Sequence, residues 1–466
     1  MPLTQTFEAV QLEAIRSLYI RGLGNMSGED VSARMGPAIA ALASVPIFTT
    51  RDEGHIDLAD GENVLMQEHL VDFCKEMMAK NITIEVSSPS SELNSTNVRK
   101  AFSNPNGVEG NPEVREAFAS YIDRYFNPSI SVTADHIVPA AGSSNALNGL
   151  LLTLCDAGDS IICPAPAWRG YNILALLSPS VNILPAWVPP TESWLEDSLS
   201  TAIIPALEKT YLSAPEPKRI KALVIANPAN PVAQCYPENV VREMMNFCHK
   251  YGLHYISDEV FANTVYDPEA AQFTSALSLV SGADASNLES AKAKSALDPK
   301  RVHIVWSMTK DMGTCGVRSG CAVTYNPTVK AGVTYGTFWQ MSSLAALFTV
   351  AVLSSPFLPA WLSSTRETLR KHNQLCHEVL SVPVLDGRIK ILPASAGLWV
   401  NVIVTLKEGE TFKDFISKTK ANKVDILPAQ DFKVYYGENQ GEFKITFAKA
   451  EGVLREGLER LKQSLL

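Results

Sequence analysis

Positive charge is scarce in this sequence. Its 40 lysines and arginines are outnumbered by 49 aspartates and glutamates, leaving a formal net charge of −9 over 466 residues. No overall positive field exists to hold a phosphate backbone, so nucleic acid is not an expected partner. Long apolar runs are missing as well. The stretch Leu344 to Leu353 falls far short of the ~20 residues a membrane span requires, and Pro356 and Pro359 follow it. A buried helix is expected there, within a segment from Ala331 to Thr365 that carries no formal charge. No membrane partner is expected. None of the eight cysteines (74, 155, 163, 235, 248, 315, 321 and 376) belongs to a CxxC pair. Most lie in apolar surroundings, as reduced core thiols do. Met1 to Arg21 carries Glu8, Glu13 and Arg16 inside its apolar pattern and has no signal-peptide core, so a cytoplasmic location is expected. GxxxxGK[ST] and HExxH do not occur, Gly22-Leu23-Gly24 lacks a preceding strand, and the eight histidines show no ligand spacing. Neither a nucleotide nor a metal is expected.

What is present is a composition able to bury a large core, 46% hydrophobic and 8% aromatic, which excludes disorder. From about residue 130, short β-branched runs alternate with helical patterns. Strands are expected at His136–Pro139, Ser160–Cys163, Val181–Pro185, Ala222–Ala226, His254–Ser257, His303–Trp306 and Cys321–Thr324. Helices are expected at Asn145–Leu154, Trp168–Leu177, Leu199–Thr210 and Pro237–Tyr251. Such alternation predicts an α/β fold, three layers with a mostly parallel sheet covered on both faces. After about residue 350 a long helix, Leu362–Leu380, and hairpin-like strands near Ile389–Ile403 and Phe443–Phe447 predict a smaller α+β domain. The expected division is a large domain over 61–349 and a small one over 350–466, joined by an N-terminal segment, 1–60. Ser281 to Pro299, rich in Ser, Ala, Lys and Asp, reads as a surface insertion.

Ligands of such sheets bind beyond the carboxyl ends of the strands. Five strand ends carry chemistry. Ser307-Met308-Thr309-Lys310 places a lysine in a turn directly after a strand, with Arg318 eight residues later among glycines. Asp258 follows an apolar strand and suits a helix cap or a cationic ligand atom, with Glu259 beside it available for a surface role. Asn230 stands in Asn227-Pro228-Ala229-Asn230-Pro231, between rigidifying prolines. Gly142-Ser143-Ser144 closes a strand and opens a helix, where free N–H groups and the helix dipole favour a phosphate. Trp168 offers a flat face after another strand.

Together these residues resemble the fold type I pyridoxal phosphate enzymes, within them the class I/II aminotransferases and the group around 1-aminocyclopropane-1-carboxylate synthase. The resemblance runs from Ile56-Asp57-Leu58-Ala59-Asp60-Gly61-Glu62-Asn63 to Phe443-Lys444-Ile445-Thr446-Phe447-Ala448 and is most specific in Arg301 to Asp311. It implies pyridoxal 5'-phosphate as cofactor, with Lys310 forming an imine and moving the substrate Cα proton through a quinonoid, and Asp258 pairing with the ring nitrogen. Asn230 would bond the phenolic oxygen and Trp168 would stack on the ring. Gly142, Ser143, Ser144, Ser307 and Arg318 would hold the phosphate, and Glu62 matches a glutamate near the substrate. The relatives are homodimers, so a homodimer is implied.

Three departures bear on the reaction. Phe261 stands where the family has a tyrosine donating to the phenolic oxygen, which should leave the imine protonated to higher pH. Residues 101–110 lack the tyrosine that reaches a neighbouring subunit's cofactor. Lys444 aligns with the arginine that clamps the substrate carboxylate and lacks its fork; Arg169, beside Trp168, is a candidate substitute. An aminotransferase acting on an amino-acid-like substrate, in specialised metabolism, is the leading expectation. β- or γ-elimination, including carbon–sulfur cleavage, is the alternative. Ser307 to Lys310 is also an SxxK string, but the SDN and KTG elements of serine acyl hydrolases are missing. A scaffold that has lost turnover is the non-enzyme alternative.

Overall fold

The computed structural model describes residues 54–82, 108–177, 181–189, 197–281, 297–338, 341–428 and 440–466. Most of the expected insertion, the bulk of the N-terminal segment and residues 101–107 lie outside these. A short strand β1 (Ile56–Asp57) comes first, followed by the strands of a seven-stranded sheet: β2 (Ile137–Ala140), β3 (Ser160–Ala165), β4 (Asn182–Trp187), β5 (Ile220–Ala226), β6 (His254–Asp258), β7 (Val302–Ser307) and β8 (Gly320–Thr324). Their order is β2-β8-β7-β6-β5-β3-β4. All seven lie within two residues of the expected bounds at each end. Only β8 runs against its neighbours, pairing antiparallel with both β7 and β2.

Every residue of β7 is buried, as in a strand covered on both faces. Ile304 and Trp306 pack with Phe118 and Tyr255 on one side, while Val305 packs with Ile256 and Leu150 on the other. This is the period-two alternation of a pleated strand. The covering helices follow their apolar spacing. Helix Glu238–Tyr251 buries Val240, Val241, Met244, Met245, Phe247 and Cys248, and Gly252 at φ 68° ends it. Helix Pro112–Phe126 starts at Asn111, whose side chain accepts from the Glu113 N–H, with proline in its first turn.

A four-stranded antiparallel sheet follows, built from β9 (Ile389–Ile391), β10 (Trp399–Thr405), β12 (Leu427–Pro428) and β13 (Gln440–Thr446) in the order β12-β13-β10-β9; β11 (Val424–Asp425) pairs with β1 beside it. Helices Leu358–Leu380 and Glu451–Leu465 pack with it around Leu369, Trp399, Val402, Phe443 and Leu458. Phe261 and Tyr266, just beyond β6, belong to this same core. Helix Ser343–Leu353 buries Ala345, Ala346, Phe348, Thr349 and Val352. Among the described residues no single helix is long and apolar enough to cross a membrane. All eight cysteines are free, six of them buried.

Candidate active site

Strand register assembles the site. Gly320, the first residue of reversed β8, pairs with Ala140 on one side and Ser307 on the other. The turn after β2, the end of β7 and the approach to β8 therefore meet at one edge of the sheet. Gly142 caps helix Ser143–Leu154 at φ 89°. A side chain on it would put Cβ 2.8 Å from Arg318 Nη2, so the position requires glycine on both counts. Arg318 holds a left-handed φ of 59°, a conformation that costs a non-glycine residue energy and clusters at functional sites. Its guanidinium donates to Ala141 O at 2.9 Å and Cys315 O at 3.1 Å. Ser143 and Ser144 lie half-buried in the first helical turn. Ser307 Oγ is buried without a hydrogen-bond partner. A buried hydroxyl in that condition demands a partner of its own, and it sits in the cradle where an anion would supply one.

Two strands over, Ala226, Asp258 and Val305 stand at one level in β5, β6 and β7. Asp258 is buried; the Tyr171 hydroxyl donates to its Oδ2 at 3.1 Å and the Val260 N–H to its Oδ1 at 3.4 Å. Burial pushes its carboxyl up to about 6, against the pull of Tyr171, Val260 and the charge of Lys310. Lys310 extends from the short helix Met308–Asp311, and its Nζ donates to Gly61 O at 2.7 Å. Ser307 and Lys310 thus form no hydrogen-bonded pair, the geometry an SxxK hydrolase requires.

Asn230 is half-buried beyond β5 and its Oδ1 accepts from Lys444 Nζ at 3.3 Å. Trp168, half-buried, lies edge-on to Tyr171 with ring centroids 5.3 Å apart. Glu62 is half-buried; burial pushes the Cys315 thiol upward, and the charge of Glu62 adds to that rise while the charge of Lys310 opposes it. Arg169, read from the sequence as a contact for an anion or a plain surface residue, is half-buried. One expectation is corrected: Glu259 has no surface role. It is fully buried, its carboxylate accepts from Ser275 Oγ at 2.7 Å and the Ala276 N–H at 2.9 Å, and burial pushes its carboxyl up to about 7.

Several residues around the lysine carried no expectation. Asn63 Nδ2 donates to Lys310 O at 2.9 Å and its Oδ1 accepts from the Leu65 N–H, so the segment before helix Gln67–Ile82 braces the lysine turn. Asp311, buried, accepts from Trp306 Nε1 at 2.9 Å and from both Asn263 nitrogens. Asn263 in turn reaches Tyr121 Oη at 2.8 Å, and the Tyr121 ring stacks on Trp306 at 4.3 Å. Asn63 lies inside the Asp60-Gly61-Glu62-Asn63 string and Asp311 beside the lysine, so adjacency is the available signal. Tyr171 follows Trp168 by three residues, and its N–H donates to Trp168 O at 3.1 Å.

Comparison with known proteins fits this arrangement. The family model for aminotransferase class I and II matches residues 53–461. The chain belongs to that family. This aminotransferase-family chain is 30% identical to Probable aminotransferase aclI of Aspergillus oryzae over 451 residues, 95% of this chain and 98% of the relative. It is 28% identical to 1-aminocyclopropane-1-carboxylate synthase 7 of Arabidopsis thaliana, covering 75% of this chain and 74% of that one. A Thermus thermophilus aspartate aminotransferase double mutant shares the fold with TM-score 0.66 at 20% identity, over 95% of this chain and 98% of the other. The seven-stranded sheet with its smaller antiparallel partner is the aspartate aminotransferase fold.

Proposed function

We propose that the chain binds pyridoxal 5'-phosphate and transfers the amino group of an amino-acid-like substrate, acting as a homodimer in the cytoplasm. The observation that carries this reading is the convergence of Lys310, Asp258 and the Gly142–Ser307–Arg318 cradle on one edge of the sheet. The residues fit the cofactor. The unpartnered Ser307 hydroxyl, the Arg318 fork and the helix start at Ser143 and Ser144 suit a phosphate. Asp258 suits the ring nitrogen, Asn230 the phenolic oxygen, Trp168 the ring face and Lys310 the aldehyde carbon.

When bound, the cofactor draws electrons away from the substrate Cα and makes its C–H acidic. Lys310 Nζ takes that proton and returns it, held in place by Gly61 O at 2.7 Å. Asp258 sets a negative charge against the ring, favoured in its ionised form by the Tyr171 hydroxyl and by Lys310. Glu62 and Arg169 are candidates for the substrate's polar groups.

Borohydride treatment after addition of pyridoxal phosphate should fix a pyridoxyl group on Lys310, found by peptide mass spectrometry. Label on another residue, or none, sinks the reading. Incubating the loaded protein with a panel of amino acids then separates the outcomes: amine-form cofactor with keto acid supports transfer, whereas ammonia with keto acid or thiol replaces it by elimination.

A further inference from the structure

Two of this chain's departures from its family meet around one ring. Phe261, which has no hydroxyl to offer, packs edge-on against Trp399 with centroids 4.9 Å apart and an interplanar angle of 72°. Trp399 is pinned by its own Nε1, which donates to Pro231 O at 2.8 Å, and Asn401 Nδ2 donates to that same carbonyl at 2.7 Å. Lys444 lies opposite Asn401 in the β10/β13 ladder. It is buried, and its Nζ sits 3.9 Å from the Trp399 ring centroid while donating to Asn230 Oδ1 at 3.3 Å. The loop that carries Asn230 and Pro231 is thus gripped from the second sheet at three points.

An amide has one acceptor end and one donor end. With Oδ1 engaged by Lys444, the Asn230 nitrogen is the end left to meet a ligand, and a phenolic oxygen accepts from such a donor. The surroundings of Lys444 are poor for gripping a carboxylate: a lysine lacks the two-pronged geometry of arginine, and Trp399 covers one side of the nitrogen. The charged groups acting on it are Lys310, which disfavours its charge, and Glu442 on its own strand, which favours it; burial dominates and lowers its proton affinity to about 7. Donation to Asn230 Oδ1 needs no charge on the amine, whereas holding an anion does, and burial disfavours that charge. We propose that Lys444 is a positioning residue for the cofactor rather than a carboxylate clamp: it holds Asn230 with its amide nitrogen toward the phenolic oxygen and so secures the donor that remains where Phe261 offers no hydroxyl. This rests on the cofactor reading above.

The test uses the full chain loaded with pyridoxal phosphate, titrating the visible absorption of the bound cofactor with pH and measuring maleate as a carboxylate probe. K444M should move the midpoint upward by about one unit, a tenfold change in proton affinity, and change maleate affinity less than about twofold, below the effect of losing one charged hydrogen bond. K444R, which keeps a donor for Asn230, should stay near the wild-type midpoint. F261Y added to K444M should bring the midpoint back down. An unmoved midpoint in K444M, a tenfold loss of maleate binding with the absorption unchanged, or no restoration by F261Y overturns the proposal. If K444M does not fold, N230D, which removes the amide nitrogen, must produce the same upward shift or the proposal falls. A wild-type chain with no visible band and no borohydride label on Lys310 defeats the cofactor reading itself. An intact wild-type band unmoved by K444M defeats only the role given to Lys444.

Discussion

The Tyr171 hydroxyl donates to Asp258 Oδ2 across 3.1 Å, with both groups buried. The tyrosine is held at the start of helix Gly170–Leu177, one turn beyond Trp168. Its bond favours the ionised carboxylate, and hydrogen bonds to charged groups are worth about 1.5–3 kcal/mol. Y171F should therefore weaken retention of pyridoxal phosphate by about tenfold or more, measured by equilibrium dialysis. Unchanged retention would show that the ring of Tyr171 matters only for packing.

Asn63 ties two distant parts of the chain by one side chain. N63A leaves the part-buried Lys310 carbonyl without this donor, which should cost about 1–3 kcal/mol. A denaturant melt of the cofactor-free protein reads it directly.

Gly142 makes a prediction that separates the phosphate from the rest of the cofactor. G142A forces a side chain onto a φ of 89° and against Arg318, a strain of about 1–3 kcal/mol. Affinity for pyridoxal phosphate should fall by more than affinity for unphosphorylated pyridoxal. Equal losses would mean that the cradle does not touch the phosphate.

Acid sensitivity should come in part from the opposite edge of the sheet. His254 Nδ1 and His303 Nε2 lie 2.9 Å apart, and His303 Nδ1 meets Thr324 Oγ1 at 2.8 Å. Burial lowers both rings, His254 to about 4 and His303 well below its ordinary value, with Arg301 repelling charge on His254. The unfolded chain binds these protons near pH 6.5 and the folded one does not, so stability is full above that pH and declines as pH falls toward 4. H254Q should flatten that decline by up to about 1.4 kcal/mol per pH unit, less for a half-buried ring. Urea melts at pH 7, 6 and 5 giving parallel trends for the two proteins would refute it.

The strands were legible because each is a short apolar run bounded by turn residues, and their carboxyl ends pointed to Lys310, Asp258, Asn230 and Gly142. Their meeting was not legible locally. It depends on β8 reversing direction, which brings Arg318 beside Gly142, and on a register that periodicity does not encode. Glu259 was misread because an acid after a strand looks solvated; only the folded chain reveals Ser275 and Ala276 closing over it. Asp311 is illegible in the sequence for a similar reason. Its partner Asn263, and the Tyr121 hydroxyl that Asn263 reaches, come from separate segments, so its burial is a tertiary fact.

The stretch from Ile56 to Asn63 is stitched at both ends. It pairs with β11 and exchanges backbone bonds with Asp425 and Thr446 at one end, and at the other it supplies Gly61 O and Asn63 to the lysine. It therefore works as a tether, joining the second sheet to the carbonyl that accepts from Lys310 Nζ. The position of Lys310 Nζ is thereby referred, through Gly61, to a segment anchored on the second sheet.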